Sequence, residues 1–107
     1  MIIRGTTPQL IFTVNSDIDL NEIFDVWVTI QVTPKNATKK SYTFAKDRMT
    51  IDSVERKIIL TLTQDDTVKL NASSCQIQMK LKLNDESVYA SDIIAEEIGK
   101  ILNSEII

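Results

Sequence analysis

Two adjacent carboxylates, Asp65 and Asp66, follow an alternating apolar run in LTLTQDDTVKL, residues 60–70. Glu96-Glu97 is a second acid pair, and Asp17 with Asp19 a third. Paired carboxylates flanking a cleft can hydrolyse glycosides, one giving a proton while the other acts as base or nucleophile. Neighbours on an extended strand point to opposite faces, so Glu96 and Glu97 cannot converge if their segment is a strand. NSDIDLNE, residues 15–22, offers oxygen ligands at near-alternate spacing. It lacks the glycine and the terminal bidentate glutamate of a calcium-binding EF-hand loop, and reads as a solvated connection.

Histidine is absent from the chain. That removes Ser-His-Asp and Cys-His nucleophilic systems, the commonest general base and the commonest metal ligand. Cys75 is the one cysteine, so no intrachain disulfide forms and no zinc site of nitrogen and sulfur ligands can be assembled within one chain. Cys75 falls on the apolar side of an alternating segment, where a thiol serves as a small hydrophobe. Gly5 and Gly99 stand alone and build no phosphate loop. The inventory predicts no catalytic residues, no metal and no cofactor: a chain that is not an enzyme.

Acidic residues outnumber basic ones by 15 to 12, for a net charge of −3. Nucleic-acid affinity comes largely from Lys and Arg on phosphates, and Lys39-Lys40 and Arg56-Lys57 are isolated pairs, so a nucleic-acid partner is not expected. No apolar run approaches the roughly 18 residues of a membrane span. MIIRGTTPQL carries no signal-peptide pattern. These features predict a soluble protein made in the cytoplasm, with no membrane partner.

The elements that carry these residues are strands. CQIQMKLKL (75–83) alternates strictly, with Cys75, Ile77, Met79, Leu81 and Leu83 on one face. VWVTIQVT (26–33) does the same through Val26, Val28, Ile30 and Val32, and its β-branched content favours the pleat. KIILTLT (57–63), QLIFTV (9–14), SYTFAK (41–46) and RMTID (48–52) add shorter strands. SDIDLNEIFD (16–25) is a connection with a helical turn, TPKNATKK (33–40) a hairpin loop around Pro34, and Asn84-Asp85-Glu86 a tight hairpin. The ending allows two readings: Ile94, Ile98, Ile101 and Leu102 fit a helix over residues 94–102, or residues 91–98 extend as the return strand of the last hairpin. The 107 residues suit one domain, 1–107, an all-β antiparallel sandwich of about seven strands.

Large apolar residues off the core phase are the candidates for contact with other molecules. Trp27 lies opposite the Val/Ile stripe of its strand, where it is either an interface anchor or covered by a loop. Ile11 and Ile59 are likewise off-phase and are expected to extend the same patch, while Ile106 and Ile107 end the chain.

IIRGTTPQLIFTV (2–14), LTLTQDDTVKL (60–70) and the ending CQIQMKLKLNDESVYASDIIAEEIGKILNSEII (75–107) together resemble a group of small proteins. These are encoded in the tail or baseplate regions of prophages of Gram-positive bacteria such as clostridia. The resemblance implies an immunoglobulin-like sandwich and a structural or assembly role. It also implies contacts with other phage structural proteins or with its own copies, in the host cytoplasm during assembly and then in the virion. A different class of function, carbohydrate binding or adhesion, would use an exposed Trp27 as a stacking platform. In an immunoglobulin-like frame, Thr63 and Asp66 approximate a capping box for a short helical turn near residues 64–69. Asp65 and Asp66 then favour its N-terminus, and the acid pair becomes a corner between the two sheets.

Overall fold

The computed structural model describes residues 1–34 and 37–99. Two long strands form its centre. β3 (Ile23–Val32) and β7 (Ser74–Leu83) pair antiparallel from Ile23 opposite Leu83 to Val32 opposite Cys75. Their alternation places Val26, Val28, Ile30, Val32, Cys75, Ile77, Met79, Leu81 and Leu83 in the core. The remaining strands are β1 (Ile2–Ile3), β2 (Gln9–Thr13), β4 (Lys40–Phe44), β5 (Met49–Asp52), β6 (Lys57–Thr61), β8 (Val88–Ala90) and β9 (Ile94–Gly99). One sheet runs β1-β9-β7-β3-β4, with β8 also paired to β7; the other runs β2-β6-β5. Their apolar faces meet in one core, to which the small sheet brings Phe12, Ile58 and Leu60.

The order β2-β6-β5 against β9-β7-β3-β4 is that of an immunoglobulin-like sandwich, with β1 on the larger sheet instead of beside β2. Its core differs from that of antibody domains, where a tryptophan on the third strand packs against an inter-sheet disulfide. Here Val28 points inward and is fully buried, Trp27 points outward, and the core is mostly aliphatic.

Three details differ from the sequence expectations, and one open choice is decided. The first and last strands pair in parallel, Ile2 beside Ile98 and Ile3 beside Gly99, so the larger sheet is mixed. β3 starts at Ile23, because an irregularity between Ile23 and Asp25 turns both Phe24 and Asp25 outward and hides the alternation. The return strand is broken at 91–93 into β8, beside Lys80–Lys82, and β9, beside Ser74–Ile77. Ile94–Gly99 is strand and not helix; residues 100–102 of that segment lie outside the described residues.

The connections are held by side chains. Asp19 accepts from the Asn21 N–H to start a 3₁₀ turn at Leu20–Glu22. Arg56, at the left-handed end of the β5–β6 turn (φ 57°), donates through its guanidinium to the carbonyls of Val14, Asn15 and Ile18. The hairpin at Asn84-Asp85-Glu86 closes with Glu86 at φ 71° and the Asp85 carboxylate accepting from the Ser87 N–H.

Candidate functional site

The acid pair sits on α1 (Gln64–Val68), the one-turn helix that carries the chain from β6 to β7. Thr63 is its N-cap. The Thr63 hydroxyl accepts from the Asp66 N–H at 3.2 Å, and the Asp66 carboxylate accepts from the Thr63 N–H at 2.8 Å. Arg48 reaches the same carboxylate at 2.6 Å, with its guanidinium 5.1 Å from the centre of the Phe44 ring. Partial burial works against the Asp66 charge, but the Thr63 amide and the Arg48 guanidinium outweigh it and hold the group below the usual carboxylate range. Asp65 is exposed in the first turn. One oxygen of Asp66, Oδ2, takes both the Thr63 N–H and the Arg48 guanidinium, while Asp65 stands in solvent, so the two acids do not face one space.

The corner is also tied to the start of the chain. Thr67 is completely buried, and its hydroxyl donates to the Thr6 carbonyl at 2.8 Å. Arg4 donates to the Val68 carbonyl at 2.6 and 3.1 Å, satisfying the C-terminal end of α1. The Leu62 N–H donates to the Pro8 carbonyl at 2.9 Å. Gly5 makes this approach at φ 76°, a conformation a side chain would strain. RGTTP (4–8) and LTQDDT (62–67), read separately in the sequence, therefore form one clasp.

The other acids do not converge. Glu96 lies opposite Cys75 and Glu97 opposite Ser74, on opposite faces of β9. Asp19 is engaged as a cap, and the Asp17 N–H is held by the Asn15 side chain. Cys75 is buried; burial first and the Glu96 carboxylate second push its thiol up, away from nucleophilic character.

The off-phase apolar residues separate into two faces. Ile11 (53 % exposed) pairs with the half-buried Ile59 on the outer side of the β2-β6-β5 sheet. Trp27 is half-buried on the outer side of the other sheet, opposite Lys80. The core lies between them, so the single patch expected from the sequence does not form. Period-two alternation says that a residue points outward but not from which sheet. Ile106 and Ile107 lie outside the described residues.

What gathers around Trp27 is a different set. On the outer face of β3, β7 and β8, Asp25, Lys82 and Val88 form one cross-strand row, and Trp27, Lys80 and Ala90 the next. Phe24 is 61 % exposed, with the Lys82 ammonium 5.7 Å from its ring centre. Ile93, 60 % exposed, lines a cleft of about 100 Å³ with Thr29, Gln31, Gln76 and Gln78. Gln78 donates to the Ser91 carbonyl and the Ser91 hydroxyl accepts from the Met79 N–H, which fixes the turn that presents Ile93. Phe24, Val88 and Ile93 escaped the sequence reading. Phe24 is hidden by the strand irregularity, and the other two sit where one return strand was expected. A run of apolar residues without alternation was the signal.

No family model, no curated protein and no solved structure matches the chain. The class of protein therefore rests on its architecture: an immunoglobulin-like β-sandwich with a partly apolar outer face on its larger sheet.

Proposed function

We propose that this chain is a non-enzymatic structural or assembly module that binds other proteins through the outer face of its larger sheet. The observation that carries the reading is the exposure of Phe24 and Val88 on the larger sheet and of Ile93 in the turn beside it, at 61, 51 and 60 %, on the side that Trp27 faces. Large aromatic and aliphatic side chains fixed on a rigid sheet lose little entropy when covered, which suits an interface anchor. The setting proposed is a prophage tail or baseplate. It rests on the resemblance carried by RGTTP, LTQDDT and the C-terminal segment, with assembly in the host cytoplasm and then residence in the virion.

The test is light scattering on the purified chain, together with capture from phage-induced cells. The expected result is self-association or co-purification of a tail protein, lost in the double variant Phe24→Ser, Val88→Ser. A strictly monomeric chain that captures no tail protein overturns the reading.

A further inference from the structure

We infer that the open edge of β4 takes an extended, acidic segment of a partner protein as an added strand. The inference rests on the protein-contact reading above but concerns a different surface. β4 closes one end of the larger sheet: it pairs with β3 from Val28–Phe44 to Val32–Lys40, and among the described residues no strand lies on its other side. An edge of this kind presents unpaired backbone N–H and C=O groups, the template for strand addition.

A cleft of about 350 Å³ runs along that edge, lined by Ser41, Tyr42, Thr43, Phe44, Arg48, Asp66 and Lys69. β4 supplies one wall and the α1 corner the other, where the Tyr42 hydroxyl donates to the Lys69 carbonyl at 3.5 Å. A groove between an edge strand and a helix end is the shape that holds an incoming strand in register.

Charge selects the occupant. Asp66 is the carboxylate in the lining, and it is already held by Arg48 and by the Thr63 N–H. Lys69 is exposed in that lining, and Lys40, also exposed, begins β4 next to Ser41. Among the described residues neither lysine makes an ion pair. Arg48 is neutralised by Asp66, so Lys40 and Lys69 are the cations this edge leaves unpaired on a chain that is acidic overall, at −3. Along β4, Lys40, Tyr42 and Phe44 share the inward phase, and Ser41 and Thr43 the outward one. A strand added beside β4 therefore meets cations and aromatic rims on one of its faces and hydroxyls on the other. The sequence that fits places carboxylates at every second position, with small polar residues between them.

The experiment is a titration of the ¹⁵N-labelled full chain with a short synthetic peptide alternating Glu and Thr. The mirror peptide alternating Lys and Thr, and single-stranded oligothymidylate, serve as controls. Expected are shift changes and slowed amide exchange across Ser41–Phe44 and at Lys69 with the Glu peptide alone. Binding weakens roughly fivefold in Lys69→Glu, the size of one exposed charge pair. Lys40→Glu gives a second reading, because Lys69 also ends α1 and its reversal could disturb the corner. No response at β4, an equal response to the Lys peptide, or an equal response to the oligonucleotide overturns the inference. Loss of tail-protein capture in the Phe24, Val88 variant with β4 binding intact separates the two surfaces.

Discussion

The α1 corner and the outer face around Phe24 are opposites in how their side chains are used. At the corner, residues that look reactive are consumed: Asp66 by Thr63 and Arg48, Thr67 by Thr6, and Arg4 by Val68. On the outer face, residues that look inert are left over: Val88 on β8, Phe24 at the irregularity of β3 and Ile93 in the break between β8 and β9 all stand in solvent. Residue type is thus a poor guide to which side chains remain free in this molecule. A count of each group's neighbours is the better one.

Replacing Thr67 with Val tests the corner most severely. The substitution keeps the shape, deletes the buried donor and strands the Thr6 carbonyl, at a cost of about 2 kcal/mol. A urea midpoint that falls with unchanged slope is the expected signature; an unmoved midpoint would mean that the clasp does not contribute. Thr63→Ala removes the cap alone and costs about 1 kcal/mol, read the same way.

Acid sharpens the same point. Asp66 is held below its ordinary range in the folded chain. Its stabilising contribution is therefore present above the unfolded value of about 4 and disappears as pH falls through the lower folded value. Arg48→Ala moves the folded value back up and flattens that acid-side decline. An unchanged pH profile would show that Arg48 does not act on Asp66. Smallest in stability is the Phe24→Ser, Val88→Ser variant, expected to stay within about 0.5 kcal/mol of wild type because both sites are exposed. If it instead unfolds, the outer face belongs to the core's support and the contrast with the corner collapses.

The features legible in the sequence were those with a local code. Alternation identified β3 and β7, Thr63 with Asp66 spelled the cap, and the β6–α1–β7 crossing followed from the two. Features that depend on partners far along the chain were not legible. Nothing near Arg4 announces Val68, 64 residues away. Two residues, Ile2 and Ile3, are too few to show a period, so their parallel pairing with β9 could be seen only in three dimensions. Ile11 and Trp27 share an outward phase yet lie on opposite sides of the molecule, since sheet membership is decided by topology.

Cys75 gives the molecule a clock. It is the chain's single thiol, buried between Val32 of β3 and Glu96 of β9, and burial there raises its pKa. Alkylation under native conditions must wait for β9 to peel from β7 or for the sandwich to open. The rate of labelling at that one sulfur therefore times the faster of those two openings, with no mutation.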